Sequence, residues 1–280
     1  MTEEINNLSE IYNEKEHVPV QVSSGRPCLI LLLLDQSGSM SMQFGNNSRE
    51  KLVAQYANQI ISEIGYKCIQ DGEVKNRFEI AVIGYGLKGK VYSAFQGQLQ
   101  NRWVVSIKEL FEKPYGEENG SPIWITPKSG STTPMTECFM NAKNLINDWI
   151  NWGNHNECHP PIMLNITDGI PTDCDSNFKQ LLNITSEIKN LHTNYGSTLI
   201  GNCHIGGNST ETNYPTQLQP NADAYDRAMF NISSKLTPAM AREAEGRGLE
   251  GISSESKLYL SGVENPEQII TFLQIGSSVA

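Results

Sequence analysis

Hydrophobic positions fall into two alternating patterns along most of this chain. Cys28-Leu-Ile-Leu-Leu-Leu-Leu34 is apolar at every position, which predicts a strand buried on both faces of a parallel sheet. From Ser48 the period changes. Leu52, Tyr56, Ile60 and Ile64, flanked by Val53, Ala57 and Ile61, make one helical stripe, with Asn47 and Glu50 placed to cap it. Phe78 to Tyr85 and Lys90 to Phe95 predict two more strands joined by a tight turn, and residues 98–128 form a connection with a short helix near Val104–Phe111.

The alternation then resumes. Thr133-Pro134 predicts a helix start, with Thr133 as cap and Pro134 in the first turn, and Phe139, Ala142, Ile146 and Trp149 carry the stripe onward. Pro161 to Thr167 reads as a strand ended by Asp168-Gly169. A helix follows through Phe178, Leu181, Leu182, Ile188 and Leu191, then a strand from Thr198 to His204. Tyr225 to Leu236 predicts a helix, Lys257 to Leu260 a strand, and Pro266 to Ile275 a closing helix. The expected fold class is therefore α/β: a doubly wound, mostly parallel six-stranded sheet with one antiparallel edge strand and helices on both faces. Residues 1–24 are a polar arm, and the domain runs from residue 26 to 280.

Composition narrows the function. Of 280 residues, 21 are Lys or Arg and 31 Asp or Glu, a formal net charge of -10 that opposes nucleic acid and anionic membrane surfaces. The longest apolar run is roughly a third of a membrane span. The acidic N-terminus does not read as a signal peptide, so a cytoplasmic location is expected. Six cysteines stand singly without a C-x-x-C pair, which suits reduced thiols. On that reading the sequons at Asn165 and Asn183 carry no meaning.

Three segments carry chemistry. Asp35-Gln-Ser37-Gly-Ser39 follows the first strand, with a carboxylate and two hydroxyls at alternate positions. Gly130-Ser-Thr-Thr133-Pro134 places a hydroxyl at a helix start, and Asp168-Gly169 follows a later strand. All these groups offer oxygen, which selects a hard divalent cation such as Mg2+ or Mn2+ over Zn2+. In doubly wound sheets, ligands bind beyond the carboxyl ends of the strands where the connection order reverses.

In this order the segments resemble the von Willebrand factor A domain and its metal-ion-dependent adhesion site, across roughly residues 26–280. The resemblance implies that Ser37, Ser39 and Thr133 bind the metal through hydroxyls, and Asp35 and Asp168 directly or through water. Thr132, adjacent to Thr133, is the alternative. It also implies metal-bridged recognition, in which a protein partner supplies an Asp or Glu to the ion. Met40, Met42 and Phe44, on the rim of the same face, are candidate partner contacts, and residues 206–222 are a second candidate surface.

Other chemistries fit less well. Gly84-Tyr-Gly86-Leu-Lys-Gly89 matches G-x-G-x-x-G but leads into a strand rather than a helix, so it is a hairpin and not a dinucleotide site. His155, Cys158, His159 and His204 lack paired zinc spacing. There is no phosphate loop and no nucleophile elbow, so a non-catalytic binding module is expected. Within the family the chain looks most like cytoplasmic bacterial proteins associated with tellurium resistance, which implies an adaptor in a stress or defence system with kinase or phosphatase partners. A subunit of an AAA+ ATPase complex and an extracellular adhesion protein are the alternatives.

Overall fold

The computed structural model describes residues 14–206 and 212–279. Residues 1–13 of the expected arm and 207–211 of the second candidate surface lie outside the described residues.

The central strand β1 (Cys28–Asp35) is buried at every position. It pairs in parallel with β2 (Phe78–Tyr85) on one side, Leu32 opposite Val82. On its other side lies β5 (Ile162–Thr167), with Leu32 opposite Leu164. Beyond β5 come β6 (Leu199–Ile205) and β8 (Tyr259–Val263), both parallel. Three short strands run antiparallel: β3 (Val91–Ser93) and β4 (Val105–Ser106) against β2, and β7 (Thr212–Asn213) against β8.

Among the described residues the sheet therefore has eight strands rather than six, and three antiparallel strands rather than one. The two unforeseen strands are two residues long, too short to show any period. The main strands lie in the order β3-β2-β1-β5-β6-β8, so the connections reverse direction between β1 and β5. In doubly wound sheets such a reversal is where ligands bind, beyond the carboxyl ends.

Alternate residues of β1 serve opposite faces, which is why the strand is apolar throughout. Ile30, Leu32 and Leu34 pack with α1 (Arg49–Lys67) and α7 (Glu267–Gly276). Leu29, Leu31 and Leu33 pack with α3 (Met135–Asn151), α4 (Lys179–Asn190) and α5 (Ala224–Ile232). A short helix, α2 (Ile107–Glu112), fills the connection as expected.

Two helix boundaries differ from the expected ones. Ser48 rather than Asn47 flanks α1, and its side chain makes no capping bond. The predicted helix to Leu236 ends at Ile232, and a separate helix α6 (Pro238–Gly246) follows. Thr237 caps it by accepting from the Met240 amide, with Pro238 in the first turn. That Thr-Pro pair was the available signal.

The described part of the arm lies along the domain. Val18 N–H donates to the Tyr195 carbonyl at 2.8 Å and Glu14 pairs with the buried Lys189 at 2.5 Å. His17 Nε2 lies 3.2 Å from His159 Nε2. Among the described residues all six cysteines are free, and no helix is long and apolar enough to cross a membrane.

Candidate divalent cation site

Asp35 ends β1 and Thr167 ends the adjacent β5. Thr167 Oγ1 donates to Asp35 Oδ2 at 2.6 Å, and the Ser37 amide donates to Asp35 Oδ1 at 2.8 Å. The carboxyl group is 1% exposed, and burial pushes its pKa up to about 6 against the lowering effect of these hydrogen bonds.

The chain after Asp35 turns through a short 3-10 segment, Gly38–Ser41. Ser37 Oγ lies 3.2 Å from Ser39 Oγ, and Ser39 Oγ donates to Asp168 Oδ1 at 2.6 Å. The D-x-S-x-S and Asp-Gly segments are thus tied together across the β1–β5 junction.

Gly86 makes the next approach possible. Its φ is +115°, and a Cβ there would stand 2.6 Å from the Ser37 nitrogen and 2.7 Å from the Thr132 carbonyl oxygen. Only a residue without a side chain lets the loop after β2 pack between these two segments.

Thr133 and Thr132 separate clearly. A Cβ built on Gly169 would lie 3.3 Å from Thr133 Oγ1 and 3.9 Å from Asp35 Oδ2, so both groups border Gly169. Thr132 is exposed, and its hydroxyl lies 3.2 Å from a Cβ on Gly89. The expected capping by Thr133 is not what forms. Asp173 caps α3, its carboxylate accepting from the Thr136 and Glu137 amides at 3.1 and 2.9 Å. Pro134 is the flanking residue rather than the first helical one.

The candidate apolar rim needs correction. Met40, inside the 3-10 turn, is fully buried, and Phe44, in the short hairpin after it, is 9% exposed; both pack in the core with α1. Met42 is 57% exposed. Of the 206–222 surface, Thr212–Asn213 joins the sheet edge and Tyr214 is buried.

Three neighbours of the site were not foreseen. Thr167, expected as a strand end, adds its hydroxyl to the site beside Asp168. Ile170, two residues after Asp168, is 56% exposed. Arg49 Nη1 contacts Asp168 Oδ2 at 2.5 Å from a position 119 residues away in sequence, which no local pattern reveals.

The four residues considered for zinc do not assemble. His155 stacks on Trp149 at 4.2 Å, His159 contacts His17 and Cys28, and His204 packs edge-on against Tyr225. Among the described residues no three His, Cys, Asp or Glu side chains group as a metal site. The oxygen cluster instead combines two carboxylates with three hydroxyls. Its all-oxygen chemistry and the buried Asp35 fit a hard divalent cation.

No protein-family model matches this sequence, and no curated protein sequence matches it. Solved structures similar to it include the pilus adhesin SpaC from Lactobacillus rhamnosus GG, with a TM-score of 0.49 and 14% identity over 93% of this chain and 30% of that one. Manganese-loaded TRAP from Plasmodium vivax has a TM-score of 0.35 and 15% identity, over 67% of this chain and 61% of that one. The vWF domain of the pili tip protein Mfa5 from Porphyromonas gingivalis has a TM-score of 0.31 and 14% identity, over 54% of this chain and 40% of that one. The chain thus spans less than two thirds of the length of each of these three structures.

Proposed function

We infer that this protein is a divalent cation-dependent protein-binding module, in which Asp35, Ser37, Ser39, Thr133 and Asp168 hold Mg2+ or Mn2+. The observation that carries this reading is that Ser39 bonds Asp168 at the β1–β5 junction, where the sheet order reverses, with Asp35 and Thr133 both bordering Gly169 there. Each residue has a separate task. Asp35 supplies the buried negative charge, and Thr167 and the Ser37 amide fix both its oxygens. Ser37, Ser39 and Thr133 offer neutral donors from loops locked together by the close contact at Gly86. Asp168 supplies the second charge, oriented by Ser39.

When bound, the ion supplies a positive centre with coordination positions left for water or a carboxylate. An Asp or Glu of a protein partner is the group this site would take, and the exposed Met42 and Ile170 beside it suit apolar flanking residues on that partner. The role is binding rather than catalysis. The partner class that accompanies this reading is a kinase or phosphatase of a bacterial stress system, with a cytoplasmic location.

The test is calorimetric titration of Mn2+ and Mg2+ into the full chain and into Asp35→Asn. Saturable binding to the first and none to the second supports the site, whereas equal heats for both would overturn it. Pull-down with and without EDTA then reports whether recovery of a kinase or phosphatase, an AAA+ ATPase or a surface receptor depends on the cation.

A further inference from the structure

Arg49 opens α1 and reaches back over the 3-10 turn to Asp168. Its Nη1 lies 2.5 Å from Asp168 Oδ2, while Asp168 Oδ1 accepts from Ser39 at 2.6 Å. The Asp168 side chain is fully enclosed and that of Arg49 is 17% exposed. The carboxylate proposed to serve a divalent ion is therefore already neutralised by a cation of the chain itself.

The rest of the guanidinium is poorly held. Nη1 also donates to Met42 Sδ at 3.9 Å, while Nε is buried with no hydrogen-bond partner. Gly206, at φ +70°, leaves the space for Nη2: a Cβ there would stand 3.0 Å from that nitrogen. An arginine with a purely structural task ordinarily satisfies its donors in a two-pronged contact. This one grips a single carboxylate oxygen and leaves a buried donor unsatisfied, an arrangement suited to release.

A guanidinium and a divalent ion cannot share Asp168 without repulsion. At about 4 Å, even with the screening of bulk water, a single and a double positive charge repel enough to weaken ion binding by roughly thirtyfold. We propose that Arg49 is the internal counter-cation of this site, occupying Asp168 when the divalent ion is scarce and competing with it for that carboxylate. The competition sets a concentration threshold for the ion, below which the site stays self-neutralised. The inference rests on the cation reading of the same site.

The experiment compares the full chain with Arg49→Gln and with Arg49→Met, which keeps an unbranched stem against Met42 should the first variant fail to fold. Mn2+ affinity is measured by calorimetry, and thermal unfolding is followed in EDTA and in Mn2+. The neutral variants should bind Mn2+ at least about tenfold more tightly than the parent. In EDTA they should unfold at lower temperature, because Asp168 is left buried and unpaired, and Mn2+ should restore them. Parent-like or weaker Mn2+ affinity in the variants would overturn the proposal while leaving the cation site standing. If neither the parent nor a variant binds Mn2+, the cation reading fails, and Arg49–Asp168 is then a structural ion pair.

Discussion

Thr167 Oγ1 and Asp35 Oδ2, 132 residues apart in sequence, meet at 2.6 Å because β1 and β5 are hydrogen-bonded neighbours whose ends coincide. Hydrogen bonds to a charged group contribute about 1.5–3 kcal/mol, so Thr167→Val should raise the Asp35 pKa further and weaken Mn2+ binding by roughly tenfold or more. Calorimetry at neutral pH checks this. An unchanged affinity would mean that the Ser37 amide alone positions the carboxylate.

The two adjacent threonines should behave differently. Thr133→Ala removes a hydroxyl that, like Asp35, borders Gly169 and should weaken Mn2+ binding by about tenfold, whereas Thr132→Ala acts on the Gly89 side and should change it by less than about twofold. The reverse result would require a different loop conformation with ion bound.

Met40 and Met42 give a matched pair for separating stability from recognition. Met40→Ala leaves a cavity beneath α1 and should cost about 2–5 kcal/mol of folding stability. Met42→Ala should leave stability within about 0.5 kcal/mol, since the side chain is largely exposed, while weakening a partner complex. Denaturant unfolding alongside a binding assay distinguishes the two.

Acid should loosen the described part of the arm. His159 is nearly fully buried against His17 and Cys28, and burial lowers its pKa to about 4; His17 is lowered in the same direction. A histidine whose folded pKa lies below its unfolded value favours unfolding as it takes up a proton. Its neutral-pH stability is therefore lost progressively as pH falls from 6.5 towards 4, by roughly 3 kcal/mol for His159. Asp35 has the opposite sign, because its folded pKa lies above the unfolded one and protonation between about 6 and 4 favours the fold. Global unfolding thus mixes both effects, and a local readout is needed. Exchange protection of the Val18 amide, bonded to Tyr195 beside this contact, should fall between pH 7 and 4.5 in the parent and fall less in His159→Gln. Equal losses in both proteins would show that histidine protonation does not loosen the arm.

What the sequence determined by itself was whatever depends on neighbours along the chain. The period of Cys28–Leu34 marked a strand covered on both faces, and the stripe from Leu52 to Ile64 marked a helix. Two-residue strands such as Val105–Ser106 left no period to read, and Met40 and Met42 looked alike until a 3-10 turn sent one inward and the other out. Tertiary structure alone decided that Asp173 caps α3 and that Arg49 holds Asp168. Each of these depends on elements brought side by side by strand order and close loop packing, and local sequence pattern does not encode the distance between segments that meet only when the sheet assembles.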